Sequence, residues 1–240
     1  MLKDFINLLN VLATPTDVFA SLKERPRWVV AFVVITIVSI AIAWLMIPFK
    51  QQIALVALSG RLSGARLHQV LSMAGRFSYI GLAEVPFTLI IKWAVVAAIL
   101  FLLCYLLEAP NELKYRKFFA VVVFSEVILL FMSVVNILIL YLKGAGNVQS
   151  VADLAPVDVY AGLGFLVKAN GKNLPLYSLL SNINVFAIWY IITLTVGVSV
   201  LTGYRKLKSA GIVTAVWFLG VVLQVVMAFI AGNSPFGKGM

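Results

Sequence analysis

The chain has 240 residues, of which 62% are hydrophobic and 12% charged, whereas a soluble domain carries about 45–50% apolar and ~25% charged residues. A water-soluble fold is thereby excluded, and the length leaves no room for a second domain of ordinary size. The formal charge is +10, but the basic residues flank apolar runs, so they belong to topology and anionic headgroups rather than to nucleic acid.

Single copies of cysteine (Cys104) and histidine (His68) exclude an internal disulfide, a Cys/His zinc site and any catalytic set needing two histidines.

Residues 2–22 are not a signal peptide, because Asp4, Asn7 and Asn10 interrupt the apolar region. Leu2, Phe5, Ile6, Leu9 and Leu12 recur at helical spacing. The segment is expected to lie in the headgroup layer with that face down, or to pack as a short helix on the bundle. Thr14-Pro15-Thr16-Asp17 ends it, since the residue before proline avoids the helical region, and Thr16 or Asp17 is expected to cap a second short helix through Leu22. Lys23, Arg25 and Arg27 precede a first span over 28–47, with Trp28 at the interface.

Residues 51–83 combine helical periodicity with Arg61, Arg66, His68 and Arg76, too many charges to span. Two amphipathic helices broken near Gly60 or Gly64 are expected there, outside the bilayer. Next come two apolar runs, 85–107 and 118–142, each long enough to cross a ~30 Å hydrocarbon core as a helix. Their link, Glu108 to Lys117, is short and charged. Only helices folded back through a bilayer satisfy both facts, because lipid offers no partner for an open backbone.

Gly144 and Gly146 are expected to end the third span. Short surface helices are expected over 157–167 and 174–180, with breaks at Gly171 and Pro175. A fourth span over 185–202, a basic turn over 203–209, a fifth span over 211–231 and a frayed tail over 232–240 complete the chain. The fold class is all-α: one membrane domain over 1–240, a bundle of five transmembrane helices with short amphipathic interfacial helices.

Basic residues crowd the short loops on one side: Lys23, Arg25 and Arg27, then Lys114, Arg116 and Lys117, then Arg205, Lys206 and Lys208. The positive-inside rule makes that side cytoplasmic, with the N-terminus inside and the C-terminus outside, and makes these nine the candidate cytoplasmic or headgroup contacts.

Within the spans, Lys92, Glu126, Asn136 and, near a span end, Asn182 and Asn184 are the costly residues, and Lys92, Glu126 and Asn136 form the candidate intramembrane polar site. With helices starting at 85 and 118, the Cα atoms of Lys92 and Glu126 differ in height by about 10 Å. Their pairing stays open, and Glu84 is a rival partner for the lysine. Asn136 is expected to bond a neighbouring helix. Catalytic signatures are missing: no His-Glu-x-x-His, no paired intramembrane aspartates, no nucleophile elbow and no phosphate-cradling glycine loop. No enzyme and no cofactor is expected. Nor does the chain divide into the matched halves of many secondary transporters.

Several stretches resemble the Yip family, membrane proteins first described as partners of Ypt/Rab small GTPases. They are Leu12-Ala-Thr-Pro-Thr-Asp-Val-Phe19 with Leu22 and Arg25-Pro-Arg-Trp28; Asn111-Glu-Leu-Lys-Tyr-Arg-Lys-Phe-Phe-Ala-Val-Val-Val-Phe-Ser125; and Asn184-Val-Phe-Ala-Ile-Trp-Tyr190 with Gly197, then Lys206 to Trp217. The resemblance implies five spans, a cytoplasmic N-terminus and no catalytic residues. Eukaryotic members carry a long cytosolic N-terminal region that is missing here, so the likeness is to the prokaryotic branch, some of whose members are associated with ABC-type exporters. It implies a bacterial inner-membrane protein serving as adaptor or scaffold for other membrane proteins, self-association included. Two alternatives stand beside it: a small permease or ion pathway through Lys92, Glu126 and Asn136, and a lipid-binding protein.

Overall fold

A computed structural model describes residues 2–59, 62, 64–109, 112–149, 151–167 and 173–233. The expected breaks at Gly60 and Gly171 and the tail from residue 234 onward lie outside them. Among the described residues the chain is helical, without a named strand: α1 Leu2–Asn10, α2 Pro15–Glu24, α3 Val29–Leu45, α4 Ile47–Ser59, α5 Gly64–Leu106, α6 Tyr115–Lys143, α7 Pro156–Tyr160, α8 Leu174–Ser181, α9 Val185–Thr202 and α10 Lys206–Asn233, with short 3-10 turns between α6 and α8. Five segments are long and apolar enough to cross a membrane: α3 with α4, α5, α6, α9 and α10. An all-α polytopic bundle follows.

The residues sort into two compact units. One holds Met1–Val38, Pro86–Phe131 and Phe186–Gly220; the other holds Ser39–Val85, Met132–Val185 and Val221–Met240. In the first, Val11, Phe19, Trp93, Phe124, Val198 and Val213 belong to one buried apolar core. Small residues let the chain close up there: a Cβ added to Gly197 of α9 would collide with Val121 Cγ1 and sit 3.3 Å from the Phe19 ring. In the second unit a smaller core gathers Phe49, Ile137, Leu140 and Val148.

Local chemistry explains three differences from the sequence reading. Pro15, not Thr16 or Asp17, opens α2, with Thr14 in the capping position. A proline suits the first helical residue because its φ is already set and its missing N–H would have had no intrahelical partner. Residues 64–83 are not a separate surface helix. They are the first turns of α5, which continues through Pro86 for 43 residues, about 65 Å of helix and twice the hydrocarbon thickness. Gly75, Gly81 and Pro86 weaken this helix without stopping it; it opens at Gly64, whose φ of +57° suits glycine. Finally, α1 packs as a short helix on the first unit. Leu8 is buried in the first unit's core, while Phe5, Ile6 and Leu9 stay exposed.

Candidate functional site

In the first unit, α5 brings Lys92 to Glu126 of α6. Lys92 Nζ donates to Glu126 Oε1 at 2.6 Å. The carboxylate side chain is 7% exposed and the lysine side chain 45%. The pair therefore has a buried anion and an outward-facing cation. The register comes from α6 starting at Tyr115, three residues before the apolar run does. Counted from the facing ends of the two helices, at Leu106 and Tyr115, Lys92 and Glu126 differ in height by only about 4–5 Å, within reach of a lysine side chain.

The surroundings are apolar but not entirely so. Glu126 Oε2 is buried with no hydrogen-bond partner among the described residues, and so is the indole Nε1 of Trp93, the residue next to Lys92. Tyr190 of α9 is buried within electrostatic reach of Glu126. An unpaired buried acceptor costs about 1–3 kcal/mol, so this site invites a water, a proton or a polar group from elsewhere.

Asn136 is not part of it. Its Oδ1 accepts the backbone N–H of Val157 at 2.8 Å, which fastens α7 to α6 within the second unit. Next to that anchor is a polar cluster that joins Asn184, costly by its place near a span end, to Asp158. Asn184 Nδ2 donates to Asp158 Oδ1 at 3.1 Å. Gly162 and Gly164 press on the same residue: a Cβ on either would lie 2.9 or 2.7 Å from the Asp158 carbonyl oxygen. Burial raises the Asp158 carboxyl to about 6, against the opposing effect of the Asn184 hydrogen bond. The Tyr177 hydroxyl, buried without a partner among the described residues, is also raised, by burial and then by the charges of Asp158 and Asp153. Asp153 in turn accepts from Lys143 Nζ at 2.6 Å and from the Gln149 N–H at 3.2 Å. No spacing rule links Asp158 to an asparagine 26 residues on; a proline before it and two glycines after it were the sole signal of a tight turn.

All nine basic residues of the candidate headgroup set fall in the first unit. Two have definite partners. Lys114 pairs with Glu112 at 3.2 Å on the surface. Lys208 lies 3.7 Å from the centroid of the Tyr204 ring and donates to the Leu107 carbonyl at 3.3 Å. The Tyr204 hydroxyl donates to the carbonyls of Cys104 and Leu107, at 3.2 and 2.8 Å. Together Tyr204 and Lys208 satisfy carbonyls at the C-terminal end of α5, the end where a cation is favourable. Lys23, Arg25, Arg27, Arg116, Lys117, Arg205 and Lys206 enter no ion pair among the described residues. No group of three metal-ligating side chains occurs among the described residues.

Five segments long and apolar enough to cross a membrane define an integral, polytopic membrane protein of the all-α class. The model of the Yip1 domain matches residues 9–227, and the chain belongs to the Yip1 domain family. No curated protein and no solved structure matches it.

Proposed function

We propose that the chain is a non-enzymatic adaptor that binds other membrane proteins within the bilayer, through the face of α5 that carries Lys92. The observation behind this is the outward lysine. Charged side chains within spans almost always face the bundle interior or a water-filled cavity, yet the Lys92 side chain is half-exposed, flanked by exposed Ile91 and Val95. A neighbouring helix bearing a carbonyl, hydroxyl or carboxylate would complete its hydrogen bonds and exclude lipid from the pair. Membership of the family is consistent with protein partners in the membrane. In this reading the first unit's basic ends face the cytoplasm of a bacterial inner membrane, and residues 1–240 act as one domain.

A photo-crosslinking residue at Ile91 tests the reading. Adducts to a second membrane protein or a second copy, lost on Lys92→Leu, support it. Adducts to lipid alone, no more protein-rich than those from exposed Ile37 on α3, overturn it.

A second reading, an ion pathway through Lys92 and Glu126, draws on the unpartnered Oε2 of Glu126. Asn136 drops out of that pathway, since its acceptor is engaged with Val157. Saturable flux in liposomes, lost on Glu126→Gln, would favour this reading over the adaptor.

A further inference from the structure

In the second unit, the chain between α7 and α8 turns its apolar side chains outward. Tyr160, Phe165 and Leu166 are 71%, 63% and 58% exposed, with Leu163 also exposed between them. The turn beneath them is tight: Gly162 and Gly164 come so near the Asp158 backbone that a Cβ on either would crowd it. Apolar exposure concentrated in seven residues marks a contact surface. Two backbone bonds fix its level. The Leu163 N–H donates to the Ile183 carbonyl, and the Val185 N–H donates to the Ala161 carbonyl, each at 3.1 Å. Val185 is the first residue of α9, is itself exposed, and opens a helix of 18 residues, about 27 Å long. That is no longer than the ~30 Å hydrocarbon core. The head of a spanning α9 therefore stays at the hydrocarbon boundary, and the segment bonded to it lies at the same level. Its backbone suits that position. The N–H groups of Val157, Asp158, Ala161, Leu163, Leu166 and Val167 all have acceptors within the chain, so they need no water. In the sequence Lys168 and Lys172 follow, and no carboxylate occurs after Asp158, so the adjoining charge favours phosphate.

We propose that residues 160–166 form a wedge that inserts into the headgroup–acyl boundary of the bilayer that the chain itself spans, with Phe165 and Leu166 among the upper acyl methylenes and the Tyr160 ring at headgroup level. A tyrosine, apolar with a polar tip, prefers that layer. An apolar edge beside cations binds it through both burial and charge. A protein on the same patch is the competing occupant. The level of Val185 favours lipid, because a water-soluble partner would have to displace headgroups to reach side chains beside it. This inference does not use the α5 face on which the adaptor reading rests, so either can fail alone.

The test is spin-label accessibility in the full chain, reconstituted in liposomes of phosphatidylcholine and phosphatidylglycerol. Nitroxides on Phe165→Cys and Leu166→Cys are compared with one on Ile188→Cys, an exposed apolar position of α9, and one on Gln149→Cys, exposed beyond α6. The native Cys104 is buried. The ratio of collisions with lipid-soluble oxygen to collisions with a water-soluble nickel chelate should be several-fold higher at 165 and 166 than at 149, and should approach that at 188. A ratio at both positions equal to that at 149 overturns the proposal. Protection from both reagents also overturns it, since a second copy of the chain would then cover the patch. A label can disturb the turn it reports, so the unaltered chain supplies a second measurement. A phospholipid with a diazirine at the head of its acyl chain should label peptides spanning 160–166 in preference to those spanning 144–149. Absence of that preference overturns the proposal whatever the labelled variants show.

Discussion

Lys92 and Glu126 share one short contact, so neither can be changed alone without consequence. Lys92→Gln leaves a buried carboxylate facing an amide; Glu126→Gln leaves a lysine with no anion. Removing one partner of a buried pair costs more than removing both. In unfolding titrations in detergent, the double variant is expected to be less destabilised than the sum of the singles by about 1–3 kcal/mol, with Lys92→Gln the worse single. Strict additivity would mean that the two groups are not coupled. Asp158 makes a different prediction. Its carboxyl, raised by burial to about 6 from its ordinary 3.8, binds its proton more tightly in the folded chain than in the unfolded one. That contribution is complete below about pH 4, is lost as the pH rises through about 6, and is absent above. Asp158→Asn, whose side-chain carbonyl still accepts from Asn184, should flatten the unfolding midpoint across this window. A wild-type profile already flat from pH 4 to 7 would contradict the assignment. The costly residues of the spans were visible in the sequence by type alone. The pairing of Lys92 with Glu126 stayed open there: Tyr115, Arg116 and Lys117 look like loop, so the apparent start of α6 fell three residues late, and a reachable pair showed an apparent mismatch of about 10 Å.

The end of α5 shows how an element can be fixed by residues far along the chain. Glu108 sits at φ +53°, in the left-handed region, with its N–H on the Tyr105 carbonyl and that of Ala109 on Cys104. This is the Schellman arrangement, in which glycine is the favoured residue. Two further bonds arrive from Tyr204, about a hundred residues away. Glu108→Gly is therefore expected to stabilise the protein by about 1 kcal/mol, and Tyr204→Phe to destabilise it by about 1 kcal/mol, since it removes one hydroxyl donor shared by two carbonyls that keep the Ala109 N–H and Lys208 Nζ. Thermal unfolding of the two variants in one detergent reads both signs; a stabilising Tyr204→Phe would remove the hydroxyl from any role in holding the helix end. The α5 helix also marks the limit of periodicity as a guide. Four cationic or titratable side chains between 61 and 76 argue against a bilayer span, but they do not exclude helix. A helix of about 65 Å can place its polar turns outside the membrane and its apolar turns inside. Hydropathy reports the solvent of a segment, and only breakers report where the backbone stops.

For the whole molecule, the long apolar runs sufficed to specify five spans, because lipid forbids the alternatives. The contacts that hold the described residues between α6 and α9 could not be foreseen in the same way, since they come from the side chains of Asn136, Asn184 and Lys143. Sidedness is the property that charge decides. All nine basic residues of the short loops fall in one unit, and such clusters resist translocation. α6, 29 residues and about 43 Å long, separates Glu112 in the link before it from Gln149 beyond it. Both positions are exposed, and the native Cys104 is buried, so single introduced cysteines report cleanly. An impermeant maleimide applied to intact cells should label Gln149→Cys at once and reach Glu112→Cys only after permeabilisation. Labelling in the opposite order would invert the protein in its membrane and turn the nine basic residues of the short loops outward, against the bias that short cationic loops impose.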